Sequence, residues 1–233
     1  MEIRDYLTEI VNANEKIERD CKPYLKLLKG REPLYRGMKV GIGIDEIGKK
    51  KVRKGRKARG MSDEKLNAAI NKWLKSEGHV RRDRCVITSP SVHQVKRLSS
   101  MLEFSNVYYV FPIGNLKYTW IESKDFNETK GRWDPEYLYL FKKKEYMKKG
   151  SKYMKPDYWE DEMPRIESKL EIATGTKDPK KGLAKFFTSN SGFDTAYQKG
   201  YEIWFGCKEY YFIYPVSVLG HRYNIDHVKA GKK

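Results

Sequence analysis

The sequence VYYVFPIGNLKYTWI, residues 107–121, decides the fold class of this chain. A run rich in Tyr, Val, Phe and Ile is followed by Gly114 and Asn115 and then by a shorter apolar run. Short runs of aromatic and β-branched residues between turn residues are typical of strands. We therefore predict two strands, at 107–113 and 117–121, and a sheet in the middle of the chain.

Three segments outside this stretch extend the predicted sheet, and each carries polar residues where apolar packing is expected. Residues 33–38 are a short apolar run that contains Arg36. Residues 85–87 predict a strand that enters a helix through a hydroxyl-rich turn, with Pro90 at the first helical position. Residues 201–205 predict a strand with Glu202 near its start. A second strand is predicted at 209–214, after a turn.

Amphipathic spacing predicts helices around these strands. Apolar residues recur at helical spacing in residues 1–30, where Pro23 restarts the helix, and in residues 62–78. Residues 126–182 mix aromatic residues with lysines and acids, and we interpret them as a helical insertion whose rings pack on a core rather than stack on nucleobases. We predict one elaborated α+β domain over residues 1–233.

A last short helix is predicted at residues 190–199. Gly200 ends it, because glycine tolerates the left-handed conformation that follows many helices. The hydroxyl-rich residues 188–191 are interpreted as the cap of this helix.

The chain is strongly basic, since 48 Lys and Arg against 31 Asp and Glu give a formal net charge of +17. Such a charge attracts phosphate polymers, so nucleic acid is the leading candidate partner. The alternative is that the lysines only solubilise the surface. No apolar run approaches the ~20 residues of a membrane-spanning helix, so we expect no membrane partner and a cytoplasmic location.

The densest basic segment covers residues 49–60, and the glycines among its cations predict a mobile loop. We expect this loop to contact phosphates. The contacting residues would be Lys49, Lys50, Lys51, Arg53, Lys54, Arg56, Lys57 and Arg59. The three cysteines and four histidines are scattered without the spacing of a disulfide framework or a metal site, so we expect reduced thiols and no metal.

The order of these motifs resembles the ADP-ribosyltransferase superfamily, whose members use an arginine, a hydroxyl-bearing strand and a glutamate. The three matching segments are the Leu-Tyr-Arg-Gly strand at 34–37, the Thr-Ser-Pro-Ser turn at 88–91 and the Tyr-Glu-Ile-Trp strand at 201–204. The chain is also similar to uncharacterised phage proteins of that type. The resemblance implies a mixed, mainly antiparallel split β-sheet core flanked by helices.

The resemblance also implies NAD as a co-substrate, with Arg36 on its phosphates or nicotinamide ribose. Thr88 or Ser89, with Ser91 beside them, would position the nicotinamide end. Glu202 would bind the ribose hydroxyl and stabilise an oxocarbenium-like transition state. Arginine-modifying members carry a second acid or amide where this chain has Gly200, so we expect an acceptor other than arginine. The expected acceptor is nucleic acid or a nucleic-acid-associated protein, including a host protein.

Several alternatives stay open from the sequence. Arg36 could pair with a buried carboxylate such as Asp45 or Asp83, and Glu202 could be an ordinary acid on an edge strand. The chain could also be a non-catalytic, basic nucleic-acid-binding phage protein. A nuclease ranks last, because it needs clustered acids for a metal.

Overall fold

The structure is a computed structural model that describes residues 3–55, 64–101, 106–126, 132–151 and 154–223. Within these ranges the chain is a mixed α+β protein with two antiparallel four-stranded sheets, so the predicted α+β class is confirmed. The strands are β1 (Tyr35–Met38), β2 (Gly48–Lys51), β3 (Val86–Thr88), β4 (Asn106–Pro112), β5 (Tyr118–Ile121), β6 (Phe187–Ser189), β7 (Ile203–Phe205) and β8 (Glu209–Ile213).

Nine α-helices surround the sheets in the described ranges. They are α1 (Ile3–Asp20), α2 (Lys22–Leu28), α3 (Glu64–Ser76), α4 (Val92–Met101), α5 (Lys143–Lys149), α6 (Pro156–Thr174), α7 (Pro179–Ala184), α8 (Phe193–Lys199) and α9 (Val218–Arg222). Two 3-10 helices cover Arg82–Arg84 and Pro135–Lys142. Pro23 is the second residue of α2, so it lies in the first turn of the restarted helix as predicted.

The first sheet has the strand order β1-β4-β8-β2. The predicted loop at 49–60 is wrong at its start, because Lys49, Lys50 and Lys51 lie in the edge strand β2 and pair with β8. Gly48 permits this pairing, since a Cβ at that position would lie 2.2 Å from the Phe212 ring. The remaining cations Arg56, Lys57 and Arg59 lie outside the described residues.

The second sheet has the strand order β3-β7-β5-β6. It meets the first sheet where Tyr35 of β1 and Ser89, the residue after β3, form an isolated antiparallel bridge. The Tyr35 amide donates to the Ser89 carbonyl at 2.8 Å, and the Ser89 amide donates to the Tyr35 carbonyl at 3.0 Å. The edge of one sheet is therefore joined to the edge of the other.

The hydrophobic core is divided by β7, because successive strand residues point to opposite faces. Ile203 and Phe205 belong to a first cluster, in which the Tyr24 ring of α2 contacts both Phe205 and Phe111 of β4, at 5.4 and 6.1 Å between centroids. Trp204 belongs to a second cluster with residues of α3, α6 and α7. Buried aromatics of the insertion, Trp133, Tyr137, Tyr146 and Trp159, also lie in the second cluster, so their predicted core role is confirmed.

Two predicted helix starts are wrong. Pro90 precedes α4 instead of occupying its first position; the Ser91 hydroxyl accepts the Gln94 amide and caps the helix. Residues 188–191 do not cap α8, because Gly192 occupies its N-cap position without a side-chain bond and Ser189 lies in β6.

Candidate functional site

The predicted site residues come from three adjacent strands. Arg36 lies in β1, which bridges the end of β3, and β3 pairs with β7, which Glu202 directly precedes. The Arg36 guanidinium crosses this junction and donates to the Ile87 carbonyl at 2.7 Å. Asp83, one of its proposed carboxylate partners, forms an ion pair with Arg81 at 2.6 Å.

The hydroxyl groups at the end of β3 and in the turn that follows it are engaged with the protein itself. Thr88 is buried and donates to the Ile203 carbonyl at 2.9 Å. The Ser89 hydroxyl lies 3.2 Å from Gln94 Oε1 and accepts the Ser91 amide at 3.1 Å. These bonds fix the geometry of the strand-to-helix turn, and Ser91 is the half-buried member of the set.

Glu202 is buried, with 4% of its surface exposed. Its carboxylate accepts the indole N–H of Trp204 and, at 3.3 Å, the amide of Phe126. Burial raises the pKa of Glu202 and nearby Asp125 adds to the rise, whereas Arg82 opposes it. The edge-acid interpretation of Glu202 is wrong, because β7 lies between β3 and β5.

The Glu202 carboxylate and the Thr88 hydroxyl lie on opposite faces of the second sheet. Thr88 is directly opposite Ile203 in register and shares its face. Glu202 instead bonds Trp204, which belongs to the other face and the second cluster. The structure thus brings together the strands of the predicted site, but it does not bring the Glu202 carboxylate to the hydroxyl turn.

A cavity of about 340 Å³ lies beside this turn. It is lined by Pro90, Ser91, Lys124, Tyr197, Gln198, Lys199 and Gly200. Two of these residues are exposed lysines and none is an acid, so the cavity suits an anionic group. Of the predicted site residues, only Ser91 lines it. The sequence analysis missed Lys124 and Lys199, whose proximity depends on how distant segments pack.

A second group of cations lies at the outer edge of the first sheet. Lys49 forms an ion pair with Glu209 of β8 at 2.8 Å. In the part of the chain that the structure describes, the cations Lys50, Lys51, Arg53 and Lys54 have no carboxylate within 4.0 Å. Burial lowers the pKa of half-buried Lys50, and the positive charges of Arg53 and Arg36 lower it further. The local field at β2 is therefore positive.

A cluster of hydroxyl groups around His79 was also missed. His79 Nδ1 lies 2.6 Å from the Ser189 hydroxyl, which lies 2.5 Å from the Thr119 hydroxyl. Thr119 in turn accepts the Val80 amide at 2.8 Å. Burial lowers the pKa of His79, which favours the neutral imidazole. This cluster joins β5, β6 and the segment after α3.

No group of three or more His, Cys, Asp or Glu in the described ranges is arranged to hold a metal ion. None of the helices in those ranges combines the length and the apolar character needed to cross a membrane. The three cysteines, Cys21, Cys85 and Cys207, are buried thiols. Comparison of the chain with family models, with curated proteins and with solved structures finds no match.

Proposed function

We propose that this protein binds nucleic acid. The observation that carries the proposal is the row of cations on and after β2, where four Lys or Arg side chains have no carboxylate within 4.0 Å among the described residues. Lys51, Arg53 and Lys54 are exposed. A phosphate backbone supplies the negative charge that this edge of the first sheet lacks.

Lysines on an edge strand have another use, because they prevent the strand from pairing with a second molecule. That role requires no affinity for phosphate, so salt-dependent binding separates the two interpretations. The net charge of +17 favours binding, since it steers a polyanion toward the surface before any specific contact forms.

The test is the affinity for fluorescently labelled single-stranded and duplex oligonucleotides, measured by anisotropy between about 50 and 200 mM salt. The triple variant K50A/R53A/K54A should weaken binding and make the salt dependence shallower, by up to ~0.9 in log–log slope per lost contact to duplex DNA and ~0.7 per contact to single strands. The control K72A/K75A/K180A removes the same charge from exposed positions in α3 and α7.

Three results are informative. A loss confined to the β2 variant supports the proposed site. Equal losses in both variants would mean that only net charge matters and that β2 is not the contact surface. Absence of binding by the wild-type protein at the lowest salt would refute the function.

ADP-ribosyl transfer from NAD to nucleic acid or protein is a second candidate function, within an ADP-ribosyltransferase-like split sheet. The adjacency of the strands that carry Arg36, the hydroxyl turn and Glu202 favours it. The enclosed carboxylate of Glu202 weighs against it, because a group that stabilises a developing positive charge must reach that charge.

Labelled NAD, incubated with the protein and with single-stranded DNA, duplex DNA, RNA or cell lysate, tests the transferase. Nicotinamide release and label transfer that are lost in Glu202→Gln and Arg36→Lys, but kept in Glu209→Gln, would establish it. NAD that stays intact with every acceptor, while nucleic acid binds, would leave binding alone as the function.

A further inference from the structure

A pair of stacked aromatic rings includes Tyr201, the residue next in sequence to Gly200 in the wall of the cation-lined cavity. Trp120 of β5 and Tyr201 have ring centroids 5.6 Å apart and planes inclined by 16°. Tyr201 directly follows Gly200, so the backbone that carries one ring of the stack continues from the cavity wall. Both rings are half-buried.

The Trp120 ring is held firmly in this position. Its indole N–H donates to the Ser191 carbonyl at 2.9 Å. At the same edge of the indole Gly192 approaches so closely that a Cβ there would lie 3.2 Å from the ring, and its φ of +64° also favours glycine. Trp120 is therefore a fixed support for Tyr201, and it is the one ring in aromatic contact with Tyr201 in the described ranges.

The charges around Tyr201 are mostly positive. Lys124 and Lys199 line the adjoining cavity. Arg132 and Glu122 lie near the Tyr201 hydroxyl with opposite effects on its pKa, which burial raises. The phenol therefore stays protonated and neutral at physiological pH. An apolar ring next to cations offers a stacking surface and a phosphate site side by side.

We propose that the Trp120–Tyr201 stack, with Lys124 and Lys199, is a subsite for one nucleotide of single-stranded nucleic acid. The base continues the stack on Tyr201 and a backbone phosphate lies at the cavity. Single strands fit because the base must be unstacked from its neighbours before an aromatic ring can cover it. The cavity, about 340 Å³ in volume, is largely open to solvent. This inference rests on the proposed nucleic-acid binding.

The test compares variants that keep or remove the Tyr201 ring. Tyr201→Leu retains apolar packing but removes the stacking face, and it should weaken binding to labelled oligo-dT and oligo-rU by about 5- to 150-fold, the value of one base–aromatic stack. Tyr201→Phe keeps the ring and should bind like the wild type. The control Tyr158→Leu removes an exposed ring from α6, at 44% exposure, and should have no effect. Thermal unfolding checks that each variant is folded.

The cationic part of the subsite is tested with K124A/K199A against K180A/K181A, which removes two exposed lysines from α7. Only the first pair should reduce the salt dependence of single-strand binding. Duplex binding should be unchanged by Tyr201→Leu, because its bases remain stacked. Comparable affinity for oligo-dU and oligo-rU, which differ only in the 2′-hydroxyl, indicates recognition of base and phosphate alone, and tighter binding of oligo-rU adds a contact to that hydroxyl.

Two results would overturn the inference in different ways. If the wild-type protein binds single strands but Tyr201→Leu binds them equally well, the subsite is refuted and the proposed function stands. If the wild-type protein binds neither single strands nor duplex, the proposed function fails and the subsite fails with it.

Discussion

Replacement of Glu202 by glutamine should destabilise the protein, although the two side chains have the same shape. The Glu202 carboxyl group accepts two N–H groups, one from Trp204 and one from Phe126. A glutamine side chain has one acceptor oxygen, and its NH₂ group would face the second donor. A buried donor that loses its acceptor costs about 1–3 kcal/mol, which is the expected decrease in the free energy of unfolding.

The size of this difference should depend on pH. Because burial raises the folded-state pKa of Glu202 above its unfolded value, its contribution to stability is fully present below the unfolded pKa and is lost as pH rises through the folded pKa. Glutamine does not titrate. The stability difference between wild type and Glu202→Gln should therefore be largest in acid and shrink as the pH rises.

Urea denaturation followed by tryptophan fluorescence, repeated across the pH range, measures both effects. The control is Glu209→Gln, which removes an acid that pairs with Lys49 on the surface and should leave stability unchanged within error. Lys49 lowers the pKa of Glu209. Any stability that Glu209 contributes therefore has the opposite pH dependence to that of Glu202, and it is lost as the pH falls. A Glu202→Gln protein as stable as the wild type at every pH would refute the two-donor geometry.

Two further substitutions test the packing around the sheets. Gly48→Ala should destabilise the protein by about 1–3 kcal/mol in the same urea denaturation, because the new Cβ would lie 2.2 Å from the Phe212 ring. The control Gly41→Ala, whose Cβ would have no atom within 4 Å, should have no effect. Equal effects of the two substitutions would contradict the predicted clash with Phe212. Thr119→Val should cost about 1–3 kcal/mol by depriving the Val80 amide of its acceptor, and Thr119→Ser should restore it. Hydrogen exchange at the Val80 amide provides the measurement, and unchanged protection in Thr119→Val would contradict the predicted role.

Local patterns were sufficient to predict most of the elements. The aromatic and β-branched runs of β4 and β5 appear as strands because their side chains alone favour a pleated, half-buried surface. The end of α8 was also predictable, since Gly200 adopts the left-handed conformation at its C-cap with φ +70°. In these cases the determining interactions lie within a few residues.

Interactions between distant residues explain the failures. The cations of β2 predicted a loop, but the strand is stabilised by pairing with β8, which lies about 160 residues further along the chain. Pro90 was placed inside α4, yet the bridge between Tyr35 and Ser89 continues strand pairing beyond β3 and delays the helix. The contact between His79 and Ser189 joins residues 110 positions apart, and neither residue lies in a motif that indicates it.

The orientation of Glu202 determines how the two candidate functions should be judged. To turn its carboxylate toward Thr88, β7 would have to shift by one residue, because a strand has a side-chain period of two. That shift would exchange the faces of Ile203, Trp204 and Phe205, all of which are 0% exposed. Each such side chain contributes about 1.5–3 kcal/mol by burial, so the shift would cost about 5–9 kcal/mol. The whole free energy of unfolding of a typical protein is about 5–15 kcal/mol.

A state that lies about 5–9 kcal/mol above the native one is populated at only about 10⁻⁴ to 10⁻⁷, too little to serve as the reactive form of a site. A reaction that uses the Glu202 carboxylate must therefore admit its substrate from the side of the second cluster, past Phe126 and Arg82, whose guanidinium lies 4.4 Å from the Phe126 ring centroid. Nucleic-acid binding at β2 and at the Trp120–Tyr201 stack requires no such opening, because both surfaces already face solvent in part. Loss of transferase activity in Glu202→Gln consequently counts for the enzyme only when the same preparation still binds single-stranded nucleic acid and unfolds cooperatively.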